Sequence, residues 1–483
     1  MNLIEVPKLA KDLCIKAFKE NILKNFDLET LSKLASTGLL GSKYLRSIGW
    51  KIFFGILSPN DSLDKWKEKL SFLRMQYKII SDKVKKQQNF IEEEEKKKGS
   101  YNFDIKTDIL KQNSSVFNPF RPEKESKKLI DLDLSRTFQD FSLFRDDVIK
   151  KRLGHILYVW SVENSKIRYQ QGMNDILSII FLALYPYYFK KELEMTNSIN
   201  DNDNDNDEAR ELYLYFNDED ELDSDLYICF EAAMNKGIKQ FYEFEFDSGD
   251  EQDKYIKKIC IFQKELENVI NINDELYSPL IVRCSSLVHE KLKVLDKDLY
   301  SHFNNIGVNC VIFLQRWIKC LFNGEFDYKD VLLIWDSIFS STEIQAGYDL
   351  AKIDLIALAM ILRIRNYLFL SDQGQCFMIL LHYPKIKNIL ELIIFADKLK
   401  EAINDLLTSQ TSRFLENITN FSVNYKNEKK ENEGEDKIRS SIIKTHEEGI
   451  QRLSHIFNKY QSLMDTEDQE EFINLINFFN NYK

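Results

Sequence analysis

Apolar side chains return every three to four residues along most of this chain, the spacing that lines one face of an α-helix. One such run covers Val6 to about Lys33. A turn bracketed by Gly38 and Gly41 follows, and Tyr44 to Phe54 begins a strongly apolar helix. Ser62 to Lys98 predicts a long helix, with Asp61 or Ser62 as its cap and a solvated charge run, Glu92 to Lys98, at its end. Asn118-Pro119 and Pro122 mark a loop, after which a helix carries Arg136. Another is expected over Asp146 to Asn164. Tyr169 to Tyr185 reads as a buried helix stopped by Pro186.

The rhythm changes at Asn197. From there to Asp225 the chain is low in complexity and rich in Asn and Asp, which predicts a disordered surface insertion. Helices are expected over Leu226–Phe244 and Lys254–Ile270, separated by a second acidic loop, Asp247–Asp253. Beyond Pro279 buried helices succeed one another to about Leu407, punctuated by His382-Tyr383-Pro384. Asn424 to Asp436 reads as a polar linker. After it Ile443, Ile450 and Phe457, with Leu453, Tyr460 and Met464, keep a heptad rhythm too short for a coiled coil. Thr466 with Gln469 makes a capping box for a last short helix. No fixed period is visible, which argues against a solenoid.

Composition narrows the class. With 7 Pro and 15 Gly in 483 residues, helix breakers are scarce, and an all-α fold is expected over a turn-rich β fold. The formal net charge of −11 is local: between Asp201 and Asp225 twelve acidic residues stand against one base, Arg210. The rest of the chain is near neutral and shows no basic stripe, so neither a nucleic-acid partner nor polybasic membrane attraction is expected. Seven scattered cysteines without a CxxC pair point to reduced thiols in an intracellular compartment. No segment reads as a signal peptide, and the most apolar run, Ile176 to Phe189, is too short to span a bilayer. A cytoplasmic protein that reaches membranes only through partners is expected.

Two short stretches carry the candidate chemistry: Ile130-x-x-Asp133-x-x-Arg136 and, further on, Tyr169-x-Gln171-Gly172-Met173. A separation of three puts Asp133 and Arg136 on one helix face, where alone they would be a surface ion pair worth at most about 1 kcal/mol. Gly172 alone would mark close packing. In this order and spacing, however, the two segments resemble the TBC-domain family of Rab GTPase-activating proteins, in which they carry an arginine and a glutamine finger. The resemblance extends over Gly38 to Phe395. Leu45-Arg46 with Trp50 is similar to the family's N-terminal signature. Arg316-Trp317, Leu321-Phe322, Glu325-Phe326 and Leu333-Ile334-Trp335-Asp336 resemble its C-terminal half. Asn118-Pro119, Arg136-Thr137-Phe138, Asp298-Leu299-Tyr300 and Leu381-His382-Tyr383-Pro384 resemble the retromer-associated branch. Gln139, where a proline often stands, and Gly324 and Asp327, in place of the usual Arg and Pro, depart from the pattern and bear on local packing and affinity.

The resemblance implies an all-α, two-lobed TBC domain over residues 38–395. Residues 1–37 would be a helical extension, 197–225 the disordered acidic insertion, and 396–483 a helical tail with a polar linker at 424–436. It implies acceleration of GTP hydrolysis on a GTP-bound Rab GTPase in endosomal trafficking, with retromer as a further partner and recruitment to endosomal membranes. Arg136 and Gln171 would be catalytic, supported by Asp133, Tyr169, Gly172 and Met173. The chain would need no cofactor of its own, because GTP and Mg²⁺ arrive on the Rab. Two rivals remain: a scaffold that binds a Rab without turnover, and a helical-repeat adaptor.

Other catalytic signals fall short. Gly38-x-x-Gly41-Ser42-Lys43 is too short for a phosphate-binding loop, and His289-Glu290 lacks the second histidine of a zinc protease. Asp201-Asn202-Asp203-Asn204-Asp205 starts like a calcium loop but lacks its glycine, and Leu212 stands where the bidentate glutamate belongs.

Overall fold

The chain is described here from a computed structural model, which covers residues 3–6, 8–97, 123–190, 204–243, 279–340 and 351–407. Among these residues every regular element is helical, and pairing of the β kind is confined to isolated bridges such as Ile4 with Phe141. The expected Lys254–Ile270 helix, the 424–436 linker, the heptad run and the Thr466 capping box lie outside the described residues. No helix of the described residues is long and apolar enough to cross a membrane.

Among the described residues up to 235 the α-helices are α1 (Lys11–Phe18), α2 (Leu28–Ser36), α3 (Arg46–Phe53), α4 (Leu63–Lys97), α5 (Glu123–Leu134), α6 (Ser142–Arg145), α7 (Asp147–Glu163), α8 (Met173–Leu184), α9 (Asn204–Phe216) and α10 (Leu222–Asn235). The continuous helix expected from Val6 is interrupted. Asp27 accepts a hydrogen bond from the Thr30 N–H at 2.8 Å and so starts α2 afresh. The long helix from Ser62 forms as expected, with the Ser62 hydroxyl facing the Lys65 N–H at 3.4 Å.

Helices α4, α5, α7, α8 and α10 pack together as one lobe. The helix Pro279–Ser286 packs on Val311–Lys319, which in turn meets Ala351–Arg363 and Gln373–Leu381 in a second lobe. Helix α3, buried from Ser47 to Phe53, packs on α8 and on the helix Tyr328–Ser340. Its Arg46 forms a forked pair with Asp336, at 3.0 and 2.7 Å, and the Trp50 indole N–H donates to the same carboxylate at 2.7 Å. The Trp50 ring stacks 6.0 Å from that of Trp335, with Phe339 edge-on at 5.1 Å. The Arg-x-x-x-Trp and Trp-Asp signatures thus meet as one interlocked pair.

The acidic stretch corrects the sequence reading. Residues 197–203 lie outside the described residues, but 204–225 is not a solvated loop. It forms α9 and the start of α10, and Ala209, Leu212, Tyr213, Leu214 and Phe216 are buried. These apolar positions outweigh the acidic ones, of which Glu208, Glu211 and Asp220 are exposed. Leu212, set against the calcium-loop reading by its type, is a core residue. Asp225 is fully buried and receives Arg74 Nε at 2.7 Å, Lys51 Nζ at 2.9 Å and the Tyr188 hydroxyl at 2.7 Å. Helix α1, ahead of the boundary expected at 38, also packs with the rest: Phe18 lies edge-on to Tyr213 at 5.8 Å and near Phe216 at 6.1 Å. At the other end the helix Ile389–Leu407 runs straight through the boundary expected at 395.

Candidate functional site

α5 reaches the site because it lies close against α7. A Cβ on Gly154 of α7 would stand 3.3 Å from Leu134 and 3.7 Å from Ile130, so the glycine sets the approach of the two helices. Ile130, Asp133 and Leu134 are buried, and there α5 ends. Arg136 is therefore not on the helix, as its spacing predicts, but in the turn that follows. The reason is local: the Asp133 carbonyl accepts the Arg136 N–H at 3.0 Å, the Thr137 N–H at 3.1 Å and the Thr137 hydroxyl at 2.8 Å, and the chain doubles back. Thr137 is buried and Arg136 exposed. Gln139, the departure from the expected proline, donates from its side chain to Ser135 O, while its own carbonyl accepts Arg145 Nε at 2.7 Å.

Asp133 consequently finds a different partner from the Arg136 that its spacing offers. Its Oδ2 accepts the hydroxyl of buried Tyr169 at 2.9 Å. Burial raises the Asp133 pKa, while the Tyr169 hydrogen bond and the nearby Arg136 charge pull it back. The Tyr169 hydroxyl is itself pushed far above its ordinary value by burial and then by Asp133, so it stays protonated and donates.

Tyr169 opens the second turn. Helix α8 starts at Met173, not at Tyr169 as the periodicity predicts, because Gly172 adopts φ +102° and breaks the run. The two adjacent glutamines separate here. Gln170 is turned inward, its side chain donating to Tyr242 O, whereas Gln171 is exposed. Met173 is fully buried beneath the turn, and its sulfur lies 3.4 Å from the Gln170 N–H. A Cβ on Gly172 would meet the Tyr242 hydroxyl at 3.2 Å and Cys320 Sγ at 3.3 Å.

Asn174 ties the two turns together, and nothing in its sequence position singles it out. Its Oδ1 accepts the Gly172 N–H at 3.0 Å and its Nδ2 donates to Thr137 Oγ1 at 2.8 Å. The structure thus joins Asp133, Tyr169, Gly172 and Met173 in one buried frame, with Arg136 and Gln171 exposed on its two turns. Thr137, Asn174 and Tyr242 complete that frame. The available signal was a polar pair, Asn174-Asp175, at the head of a mostly apolar helix.

The secondary candidates are structural. His289 Nδ1 lies 2.9 Å from the Tyr300 hydroxyl, and among the described residues no group of three His, Cys, Asp or Glu could hold a metal ion. Gly324, a departure from the resemblance, sits at φ +93°, where glycine is the least strained residue.

The Rab-GTPase-TBC domain family model matches residues 43–275 and 275–369. TBC1 domain family member 5 of Homo sapiens is 27% identical over 382 residues, covering 79% of this chain and 44% of its own length. The Dictyostelium discoideum TBC1 domain family member 5 homolog B is 24% identical, covering 79% of this chain and 42% of its own. This chain therefore spans less than half the length of these relatives. The crystal structure of the Ypt/Rab-GAP domain of Gyp1p superposes with a TM-score of 0.51 at 18% identity, covering 82% of this chain and 100% of that one, and shares its fold. The chain belongs to the Rab-GTPase-TBC domain family.

Proposed function

We propose that this chain binds a GTP-loaded Rab GTPase and accelerates its hydrolysis of GTP, with Arg136 and Gln171 acting in trans. The observation that carries the reading is the exposure of these two side chains on turns fastened to each other by Asp133–Tyr169 and Thr137–Asn174. In GTP hydrolysis negative charge builds on the transferred phosphoryl group and the leaving oxygen. A guanidinium supplied by a partner stabilises it and is worth about 10³–10⁵ in rate. Arg136 suits this because its planar fork stays charged and can donate two bonds to phosphate oxygens. Gln171 supplies an amide to orient the attacking water. GTP and Mg²⁺ come with the partner.

The name of one relative, GTPase-activating protein GYP1 of Saccharomyces cerevisiae, supports the activity. The motif likeness to the retromer-associated branch supports retromer as a second partner and endosomes as the place of action. The test is phosphate release from a panel of GTP-loaded Rabs with wild type, Arg136→Ala and Gln171→Ala. Wild type should accelerate at least one Rab, and both variants should bind that Rab while losing rate. A wild type that binds a GTP-loaded Rab without changing its rate would identify a scaffold instead. Retromer pull-down, done separately, tests the second partner.

A further inference from the structure

We propose that Leu3–Val6, with Lys8 and Leu9, form a positioning strap for the arginine turn, and that the strap sets the rate of the catalytic step rather than the affinity for the GTPase. This rests on the reading of Arg136 as the catalytic arginine. The segment lies ahead of the residues matched by the family model, which begin at 43.

The turn that presents Arg136 is held by a buried bond at its entrance, where Thr137 folds back on Asp133, and further along by solvent-exposed bonds, Gln139 to Ser135 O and Arg145 to Gln139 O. Ser135, Arg136, Gln139 and Asp140 are exposed, and Phe138 sits at φ +43°, a left-handed conformation costly for a bulky residue. Such a conformation persists only where the surroundings hold it. The Phe138 ring is held against Phe141 at 5.5 Å and Phe144 at 5.2 Å. The backbone on either side of Phe141 is clasped by the strap: the Ile4 N–H donates to Asp140 O at 2.8 Å, and the Ser142 N–H donates to Ile4 O at 3.1 Å. Residue 4 thus closes the exit of the turn that Arg136 opens.

The other end of the strap is anchored beyond α8. The Leu9 N–H donates to Pro186 O at 3.3 Å. Lys8 Nζ donates to Tyr188 O, stands 4.5 Å from the Tyr185 ring centroid and 5.5 Å from that of Phe189, and faces Glu219 at 3.8 Å. Helix α8 carries the glutamine turn at its opposite, N-terminal end. The strap therefore refers the arginine turn to the same helix that positions Gln171, by a second route independent of Asn174.

Ile4→Pro removes the donating N–H, while Ile4→Ala keeps it; the side chain is 40% exposed, so little core is lost either way. With a Rab that wild type accelerates, Ile4→Pro should lower single-turnover kcat by about tenfold at unchanged KM, with Ile4→Ala near wild type. Lys8→Gln, which loosens the far anchor, should give a smaller loss of the same kind. In an Arg136→Ala background Ile4→Pro should cost no further rate. Amide hydrogen exchange over 138–142 should rise in Ile4→Pro relative to Ile4→Ala.

Unchanged kcat in both Ile4→Pro and Lys8→Gln, a loss confined to KM, or an equal loss without Arg136 would each overturn the strap. Should wild type accelerate no Rab, the functional reading fails first. The strap then stands or falls on exchange over 138–142, and no difference between Ile4→Pro and Ile4→Ala overturns it.

Discussion

The Tyr169 hydroxyl donates to the Asp133 carboxylate at 2.9 Å, and that bond joins the turn presenting Gln171 to the turn presenting Arg136. Both partners are about 5% exposed, so each is the other's main compensation for leaving water. Asp133 and Tyr169 thus hold the two backbone turns in register.

Tyr169→Phe should therefore affect two measurements. It leaves a buried carboxylate without its donor, a loss of about 1–3 kcal/mol in unfolding free energy. It should also lower the single-turnover rate with bound Rab more than the affinity for it, because the turns lose one of their two direct ties. Urea unfolding and phosphate release read the two effects separately. A variant that loses stability but keeps full kcat would show that Asn174–Thr137 alone sets the register.

Gly172→Ala tests the glutamine turn from the other side. The residue sits at φ +102°, and the added methyl would stand 3.2 Å from the Tyr242 hydroxyl and 3.3 Å from Cys320 Sγ. Tyr242 cannot easily yield, since its hydroxyl donates to Lys319 O at 3.1 Å and its ring is buried. Backbone strain of about 1–2 kcal/mol and displacement of the turn are expected together. Thermal unfolding should shift down, and the rate should fall further than in Met173→Leu, which conserves volume beneath the same turn.

Asp225→Ala should be among the most damaging single changes in the chain. It strands Lys51 and Arg74 in the core opposite the Tyr188 hydroxyl, and removing one member of a buried ion cluster costs about 3–5 kcal/mol. Loss of soluble expression or a large drop in urea midpoint is the expected result. Asp223→Ala, two residues away in a half-exposed pair with Arg152, should change stability by no more than about 1 kcal/mol.

That contrast shows where the sequence was legible and where it was not. Apolar periodicity marked α4, α7 and the helices after Pro279, because their buried faces repeat every three or four residues. It misread 204–225, because counting acids says nothing about Leu212, Tyr213 and Phe216 on the inner face. The role of Asp225 was hidden for a stronger reason: its partners Lys51 and Arg74 are 174 and 151 positions away. At the site, the motifs implied helix for Arg136 and Gln171, whereas both lie in turns next to a helix end. A spacing of three implies a helical face only while the helix continues, and competition by Thr137 for the Asp133 carbonyl ends it. Asn174 escaped because a polar residue in the first turn of a helix has no evident chemistry until the fold brings Thr137 to it.

A final expectation concerns pH. Asp175, in the first turn of α8, has a pKa pushed up to about 6, first by burial and then by the charge of Asp133. Its contribution has the opposite sign from that of a salt-bridged carboxylate. Between the ordinary value of 3.8 and about 6 the folded chain holds a proton that the unfolded chain has released, so stability falls as pH rises through this window. Above it the full penalty of an ionised, half-buried carboxylate is present. Asp175→Asn removes that penalty and keeps an oxygen able to accept from Asn174 Nδ2, now 3.3 Å from Asp175 Oδ1. At pH 7.5 the variant should be more stable than wild type by about 2 kcal/mol, with the difference shrinking below pH 6 and vanishing near pH 4. Denaturant titrations of both proteins at several pH values measure it. A variant less stable than wild type at pH 7.5 would mean that the ionised carboxylate is held by the fold, and the assignment of burial as the dominant influence on Asp175 would be wrong.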